Sequence, residues 1–227
     1  ILSSSFGLYT WMNNPESQMV AVTVRAGSKA EMALPDGTFV HLNAATNLEY
    51  DVNNSKQRLV KLSGEAFFDV AKNPDCPFKV IINDLQIEVV GTSFNVKTYK
   101  KDIVETSLLS GRIRISGGSL PHEYTLSPGQ KATYSAMDKT LRISKADAHV
   151  EAGWRDNYLI FESTPLIDVI AQIERWYGVE IRLHHKQIAQ DLLSGSFRNE
   201  SIQNVIRSLS IQYGFKYEIH KDIITIY

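Results

Sequence analysis

The sequence predicts two domains: an N-terminal all-β antiparallel sandwich or rolled sheet, then a small α+β domain built from a duplicated strand-helix-strand unit. Over residues 19–145, short β-branched and aromatic runs alternate with turn residues. No helix-length amphipathic pattern interrupts this region, which excludes a parallel sheet with crossover helices. After Gly153 the hydrophobic period becomes that of a helix, and the same pattern recurs 36 residues later.

The β region is expected to form strands joined by short turns. The strands are predicted over residues 19–25, 29–34, 38–42, 57–62, 65–70, 78–82, 85–90, 103–109, 112–115, 124–126 and 130–134. Between the second and third strands, Pro35 presets one turn dihedral and Gly37 tolerates a positive one. Two-residue connections, which tight antiparallel hairpins use, join three later pairs: Ser63-Gly64, Asn83-Asp84 and Ser110-Gly111.

The region after Gly153 is predicted to contain one strand-helix-strand unit in two copies. In the first copy a helix opens at Pro165, can be capped by Ser163 or Thr164, and stops at Gly178. The second copy repeats it, with the matched pairs Phe161 and Phe197, Leu166 and Ile202, Val169 and Val205, Ile170 and Ile206, Ile173 and Leu209, and Tyr177 and Tyr213. Two copies are too few for a solenoid and predict a compact domain, with two helices on one face of a small sheet.

The chain is therefore predicted to comprise an N-terminal arm (1–18), an all-β domain (19–145), a connector (146–153) and an α+β domain (154–227). The apolar stretch at residues 1–12 contains three serines and is shorter than the roughly 20 residues needed to span a bilayer. Two interpretations of the arm stay open: the exit of a membrane helix cut off upstream, or an ordinary apolar segment.

Composition limits the possible functions. The 227 residues are 43% hydrophobic and 22% charged with a formal net charge of -1, which is typical of a folded soluble protein. A basic footprint for nucleic acid is missing, so no nucleic-acid partner is expected. The single cysteine, Cys76, excludes an internal disulfide and any metal cluster of several cysteines.

The sequence offers little catalytic or metal-binding chemistry. It has no phosphate loop, nucleophile elbow or zincin motif. Glu65 and Asp69 would lie on one face of a strand about 13 Å apart, so we expect a solvated or hydrogen-bonded face rather than a catalytic pair. His184 and His185 would point to opposite faces of a strand. We therefore expect no metal and no cofactor.

Aromatic residues are concentrated in the last third of the chain. Those that recur in both copies of the repeat are expected in the core. Trp154 and Trp176 have no aromatic counterpart in the second copy, which favours an exposed or inter-domain contact for them. The candidate partner-binding residues are Trp154, Trp176, Ile223, Thr225 and Tyr227.

Three ordered motifs resemble a known family: LPDGTFVHLNAATNLEY (34–50), LVKLSGEAFFDVAKNPDCPFKV (59–80) and VVGTSFNVKTY (89–99). They are similar to the FecR-type sensor domain of transmembrane anti-sigma regulators, and SPGQKA (127–132) fits the same pattern. The duplicated C-terminal region looks like the small domain that follows in many members. That domain in turn resembles the short signalling (STN) domain of secretins and TonB-dependent transporters.

The resemblance implies a periplasmic sensor and signal-relay region, anchored to the inner membrane in the full-length protein. It implies one partner, the N-terminal signalling domain of a TonB-dependent outer-membrane transporter. An extracytoplasmic-function sigma factor would be bound only through a cytoplasmic segment outside this sequence, and membrane contact would come only from an upstream helix. The implied role is regulatory and not enzymatic.

Some relatives are cut in this domain between a glycine and a threonine, and Gly91-Thr92 matches that motif. Attack of the threonine hydroxyl on its preceding peptide would be a single-turnover self-cleavage. The simpler interpretation is that Gly91 makes a bulge or bend between two strands. For the whole chain, two other functions stay open: an envelope or secretion-complex assembly module, and a carbohydrate-binding or hydrolysing β-sandwich.

Overall fold

The structure, a computed structural model, describes residues 18–52, 58–184 and 186–227. All but the last residue of the predicted N-terminal arm lies outside the described residues, as do the first residue of the predicted strand 57–62 and His185. Within the described ranges, no helix is long and apolar enough to cross a membrane. The elements form a β-sandwich, a short connection and a small α+β part.

The first sheet of the sandwich has seven strands. In spatial order they are β1 (Met19–Val24), β4 (Thr46–Asp51), β5 (Arg58–Ser63), β7 (Phe78–Ile82), β8 (Leu85–Val89), β11 (Ile113–Gly117) and β12 (Tyr124–Leu126). Alternate residues of β7 and β8 are buried, because successive side chains of a strand point to opposite faces. Neighbouring strands are antiparallel except β5 and β7, which are parallel.

The second sheet also has seven strands, and all of its pairs are antiparallel. In spatial order they are β14 (Thr140–Lys145), β13 (Gln130–Ser135), β10 (Ile103–Ser110), β9 (Ser93–Lys97), β6 (Glu65–Asp69), β3 (Phe39–Leu42) and β2 (Ala30–Ala33). The first four residues of β6 are buried in succession, which requires cover on both faces of the sheet.

The core of the sandwich lies between the two sheets and centres on phenylalanines. Phe68 stacks on Phe94 of the same sheet with ring centroids 5.2 Å apart, and it meets Phe78 of the opposite sheet at 5.8 Å. All three side chains are almost completely buried, and each burial stabilises the fold by roughly 1.5–3 kcal/mol. The prediction of an antiparallel sandwich is confirmed, although it contains one parallel pair.

Two of the predicted hairpin connections are wrong. Asn83-Asp84 does join an antiparallel pair, but Ser63-Gly64 and Ser110-Gly111 pass the chain from one sheet to the other. Gly64 has a φ of +115°, and a Cβ atom there would lie 2.5 Å from Thr46 Oγ1. Glycine is needed at this crossing for its conformation and for space. Because β6 leaves for the second sheet, β5 and β7 are free to pair in parallel.

The sequence pattern does not predict β4, β9 or β14, although all three are regular strands. The first two contain asparagine, which is depleted in strands, and β14 is an edge strand with mostly exposed residues. These strands are stabilised by their neighbours on the sheet more than by their own composition.

The sandwich is followed by α1 (Ala148–Ala152) and a 3₁₀ turn (Gly153–Asp156). The small α+β part then contains β15 (Tyr158–Pro165), α2 (Leu166–Tyr177), β16 (Glu180–Leu183), a second 3₁₀ turn (Lys186–Gln190), β17 (Leu192–Arg198), α3 (Ile202–Tyr213), β18 (Tyr217–His220) and β19 (Ile223–Ile226).

The duplicated helices share a core but not a single sheet. β15 pairs with β17 in one antiparallel ribbon, while β16, β19 and β18 form a separate three-stranded sheet in that order. The expectation of one small sheet is therefore wrong, because the first strands of the two copies pair with each other while β16 pairs with β19 in a separate sheet. The predicted small α+β fold is otherwise confirmed, and both helices bury the expected apolar face.

The two helices begin differently and end alike. α3 is capped by Ser201, whose hydroxyl accepts a hydrogen bond from the Asn204 N–H. α2 follows Pro165 without a side-chain cap, so the capping predicted from Ser163 or Thr164 is wrong. Both helices end at glycines in the left-handed conformation, Gly178 with φ 69° and Gly214 with φ 70°.

Candidate functional site

α1, the 3₁₀ turn after it and α2 contact the sandwich, in part over the outer face of β6 and β9, and we call this contact the seam. On the sandwich side Phe67 and Asn95 point outward, away from the core between the sheets. On the other side Trp154 packs with Phe67 and Ala152, and Trp176 lies against the same cluster. Trp154 is only 6% exposed. The seam therefore supplies the second layer of cover that β6 requires.

A buried carboxylate lies next to the seam. Glu65 is 7% exposed, and its two oxygens accept hydrogen bonds from Asn43 Nδ2 at 2.7 Å and Asn95 Nδ2 at 3.0 Å. Asn95 Oδ1 in turn accepts a hydrogen bond from Trp154 Nε1 at 3.1 Å. A continuous chain of hydrogen bonds thus runs from the sandwich to the 3₁₀ turn that precedes the small part.

The orientation of the two asparagine amides determines the hydrogen-bonding role of the Glu65 carboxylate. Asn43 Oδ1 accepts from the Ala44 N–H and Asn95 Oδ1 accepts from Trp154, so both amides turn their NH2 groups to the carboxylate. Burial raises the pKa of Glu65, while the charges of Lys97 and Arg175 and the two amide donors act in the opposite direction. Both carboxylate oxygens accept hydrogen bonds from amide donors that are held in place, which makes this group a structural anchor of the network.

Cations pack on the aromatic rings of the seam. Lys29 Nζ lies 3.7 Å from the centroid of the Trp176 ring, and it donates hydrogen bonds to Trp154 O at 2.6 Å and Asn157 Oδ1 at 3.0 Å. The Arg155 guanidinium lies 3.6 Å from the centroid of the Phe67 ring. Burial lowers the pKa of Lys29 to about 8, and the nearby Glu65 charge opposes that shift. These contacts join elements that are far apart in the sequence.

The end of α2 docks on the turn between β1 and β2. The Gly27 N–H donates to Arg175 O at 2.8 Å, and a Cβ atom on Gly27 would lie 3.2 Å from the Tyr177 carbonyl oxygen. The Arg175 guanidinium lies 4.2 Å from the centroid of the Tyr99 ring. Burial raises the pKa of Tyr99, whose hydroxyl donates to Ala44 O. Main-chain and side-chain contacts together hold the helix on the sandwich.

A cleft of about 710 Å³ opens beside the seam, and paired charges line it. Lys131 Nζ lies 2.6 Å from Glu151 and 3.7 Å from Glu105, and Lys97 lies 3.8 Å from Glu105. At its other end, Lys100 and Asp168 form an ion pair at 2.6 Å. Two of these pairs connect the sandwich to the helices that follow it: Lys131 with Glu151 of α1, and Lys100 with Asp168 of α2. Within the described ranges, no group of three His, Cys, Asp or Glu residues could hold a metal ion.

The other candidate acidic and histidine residues separate in the structure. Asp69 is exposed and accepts a hydrogen bond from Ser93 Oγ at 2.7 Å, whereas Glu65 on the same strand is buried. His184 stacks on Tyr227 with ring centroids 5.8 Å apart. Neither arrangement brings two carboxylates or several metal ligands to one point.

The structure places the five candidate partner-binding residues in two locations. Trp154 and Trp176 belong to the seam, where Trp154 is buried within the chain. The other three, Ile223, Thr225 and Tyr227, alternate with the buried Ile224 and Ile226 and so lie on the outer face of the three-stranded sheet. β19 is the middle strand, so this face, and not an edge of β19, would contact a partner. A partner-binding role for these residues stays a prediction.

Gly91-Thr92 lies where the chain passes from β8 to β9 in the other sheet. Thr92 is 3% exposed, and its hydroxyl donates to Arg112 O at 3.1 Å. A Cβ atom on Gly91 would lie 2.9 Å from Lys72 Cα, so the glycine permits a close approach of two main chains. Self-cleavage at this bond stays a prediction, which the intact mass of the purified chain tests.

Sequence reasoning missed most of the polar residues of the seam. The sequence pattern does not single out five of them as site residues: Asn43, Asn95, Lys29, Arg155 and Arg175. The signal that could have found Asn95 is its position in a strand between Phe94 and Val96, where an asparagine is unusual. The cations carry no such signal, because their aromatic partners are distant in the sequence.

The fold and the seam define a two-domain protein, in which hydrogen bonds, ion pairs and cation–aromatic contacts join a β-sandwich to a small α+β unit. The family model of the FecR protein matches residues 20–114, and the model of the FecR C-terminal domain matches residues 158–226. The chain belongs to the FecR family. No curated protein matches it.

Two solved structures are similar to most of the chain. Both are crystal structures of a candidate anti-sigma factor from Parabacteroides distasonis ATCC 8503, at 1.65 and 2.50 Å resolution. Each is 30% identical to this chain and covers 92% of it, with TM-scores of 0.82 and 0.83. The match covers 98% and 99% of those two chains. The likeness of the C-terminal part to signalling domains of secretins and transporters stays a prediction.

Proposed function

We propose that this chain is the periplasmic sensor and signal-relay portion of a membrane-anchored anti-sigma regulator. In this proposal it receives a signal from the N-terminal signalling domain of a TonB-dependent outer-membrane transporter. The signal then controls an extracytoplasmic-function sigma factor, which the regulator binds through a cytoplasmic segment outside this sequence. Membership of the FecR family and the similarity to a candidate anti-sigma factor support the regulatory role.

The seam is the observation that supports a relay. Three specific contacts join the sandwich to the 3₁₀ turn and to α2: those between Asn95 and Trp154, between Lys29 and Trp176, and between Lys100 and Asp168. A force or a shift applied to the small part would therefore be transmitted to the sandwich, because packed contacts of this kind move together.

The outer face of the three-stranded sheet is the proposed contact surface for the transporter domain. Ile223, Thr225 and Tyr227 run along its centre, and Tyr227 is 52% exposed. An aromatic side chain that is half exposed on a regular sheet is a common anchor of protein interfaces. This face points away from the helices of the small part, so binding there leaves its core intact.

A calorimetric titration tests the proposal. The whole chain would be titrated with the isolated N-terminal signalling domain of a TonB-dependent transporter, ideally one encoded beside it. We expect saturable binding that Tyr227→Ala weakens about tenfold or more, since truncating an anchor residue typically has an effect of this size.

Met137→Ala is the matched control, because Met137 is 78% exposed on the sandwich, away from the proposed surface. It should leave the affinity unchanged. No binding to any of several such domains would refute the proposal and favour an envelope-assembly role. Binding that Tyr227→Ala leaves unchanged would retain the partner but move the contact to another surface.

A further inference from the structure

The small part exposes the outer edges of four strands, and its structure protects three of them. On β15 the register shifts between Phe161 and Thr164, which forms a bulge. Two main-chain N–H groups of this bulge donate hydrogen bonds to side chains instead of to β17 carbonyl groups. The Glu162 N–H donates to Thr164 Oγ1 at 3.2 Å, and the Ser163 N–H donates to Ser194 Oγ at 2.9 Å. A bulge with internally satisfied donors does not accept another strand.

The two edges of the three-stranded sheet are also protected. On β16, the outward N–H of Ile181 donates to Glu174 Oε1 at 2.7 Å, so a carboxylate from α2 covers that edge. β18 has only four residues, and two of them, Glu218 and His220, are polar and exposed. Short and polar edges are the usual ways in which folded proteins prevent strand addition.

β17 lacks these protections. It is seven residues long, and between Leu192 and Phe197 it contains no charge and no proline. The bulge of the ribbon lies on β15, so β17 itself is regular. Leu192 is 59% exposed at one end of the strand. A long, flat and uncharged edge of this kind is a template for pairing with another strand.

The hydrogen bonds at the two ends of β17 establish which main-chain groups point outward. The Leu166 N–H donates to Asp191 O at 2.9 Å, and the Asn199 N–H donates to Asn157 O at 3.4 Å. Orientation alternates along an antiparallel strand, so odd-numbered residues face β15. The N–H and C=O groups of the even-numbered residues therefore point away from the ribbon; these residues are Leu192, Ser194, Ser196 and Arg198.

We propose that β17 pairs antiparallel with β17 of a second copy of this chain, centred on Gly195, to give a continuous four-stranded sheet. In this register Ser194 lies opposite Ser196 of the second copy, and Leu192 lies opposite Arg198. The outward groups then form four hydrogen-bonded pairs, as a two-fold symmetric interface requires. The inference is independent of the proposed transporter partner.

The charge distribution favours a second copy as the occupant. In the proposed register no residue faces another of the same charge, because the centre is Ser-Gly-Ser and the basic Arg198 faces a leucine. The Arg198 guanidinium lies 4.7 Å from the centroid of the Tyr158 ring on β15, so its charge is held toward β15 and away from the proposed partner strand. The exposed Leu192 of one copy would therefore meet no buried charge opposite it in the other copy.

Strand pairing alone buries less surface than a standard permanent interface, so the dimer should be reversible and concentration-dependent. Sedimentation equilibrium of the whole chain over a wide concentration range would measure it. Ser196→Pro removes an outward N–H from each copy without touching a bond to β15, and we expect it to weaken the dimer about tenfold. Ser196→Ala keeps the N–H and should dimerise like the wild type.

A second variant distinguishes a weakened interface from a local distortion of β17 by proline. Ser196→Lys keeps the main chain but brings positive charge to the centre of the edge, and it should also weaken the dimer. Far-UV circular dichroism would verify the fold of each variant. A chain that stays monomeric at every concentration would overturn the proposal, as would a dimer that neither variant weakens. Protection of residues 192–198 from hydrogen exchange only when a transporter domain is added would also overturn it.

Discussion

At the scale of single residues, Glu65 is both part of a family motif and the centre of a buried hydrogen-bond network. It belongs to a motif of the family resemblance, and its carboxylate organises Asn43 and Asn95, each from another of the quoted motifs. The same Asn95 receives the Trp154 hydrogen bond from the far side of the seam. Three motifs that are separate in the sequence thus converge on one buried network. All three motifs therefore contribute to the scaffold of this chain.

Glu65→Gln should destabilise the fold by roughly 1–3 kcal/mol at neutral pH. The substituted carboxamide offers one acceptor where two fixed amide donors need two, so one buried NH2 group loses its partner. Urea unfolding of both proteins would measure the difference. Glu49→Gln is the control, since Glu49 forms only a surface pair with Lys61 at 3.7 Å, and its unfolding free energy should change little.

The pH dependence of the same comparison tests the direction of the Glu65 pKa. Because burial raises this pKa in the folded state, the native chain binds a proton more tightly than the unfolded chain does. The stability margin of the wild type over Glu65→Gln should therefore widen as the pH falls from neutral through the folded-state pKa, and level off below the ordinary value of about 4.3. A margin that narrows over this range would mean that the surrounding cations and amides outweigh burial.

At the scale of elements, the two copies of the strand-helix-strand unit provide their own comparison. Tyr177 and Tyr213 occupy equivalent positions at the ends of α2 and α3. The Tyr177 hydroxyl donates to Glu200 O at 2.8 Å, whereas the Tyr213 hydroxyl is buried and finds no hydrogen-bond partner among the described residues. The repeat has preserved the ring as a core residue, while only one copy uses the hydroxyl.

Replacing each tyrosine with phenylalanine should therefore have opposite consequences. Tyr177→Phe should lower the unfolding free energy by about 1 kcal/mol, because it removes a formed hydrogen bond. Tyr213→Phe should be neutral or stabilising, because it removes a buried polar group that lacks a partner. Thermal and urea unfolding would compare the two. Equal losses for both variants would contradict this explanation.

The same elements indicate how far the sequence predicts the fold. The helix that opens at Pro165, and its copy 36 residues later, follow from hydrophobic period and glycine stops, which are local signals. The sheet crossings at Ser63-Gly64 and Ser110-Gly111 resemble hairpin turns locally and differ only in what surrounds them. Pairing partners in a sandwich are decided by contacts between distant strands, and a single sequence carries no direct record of them.

The candidate site was predictable to a similar degree. The lack of an aromatic counterpart in the second copy separates Trp154 from the repeated core residues of the small part, whereas Trp176 packs against that core as well as against the seam cluster. Lys29 packs on the Trp176 ring and donates a hydrogen bond to the main chain of Trp154, which lies 125 residues further along the chain. No spacing rule connects residues so far apart in the sequence. The sequence places Glu65 on a solvated or hydrogen-bonded face of its strand, but it does not indicate the two asparagine partners, because both are distant from Glu65 in the sequence.

At the scale of the whole molecule, the two main cores are separate and the seam is their link. Trp154 belongs to neither core and packs only in the small cluster at the seam. Truncating it should loosen the contact between the sandwich and the small part while each retains its own core. This separation makes it possible to disturb the relay without unfolding the protein or changing the proposed transporter-binding face.

The most direct test of the relay is therefore transcription in cells that carry the full-length regulator with Trp154→Ala. A reporter of the sigma-dependent promoter would be measured with and without the transporter's substrate, with Met137→Ala as the control. We predict that Trp154→Ala still binds the transporter domain in calorimetry, while the reporter response falls to its uninduced level. A wild-type response from a variant with a demonstrably loosened seam would contradict the account, because the signal would then bypass the contact between the two parts.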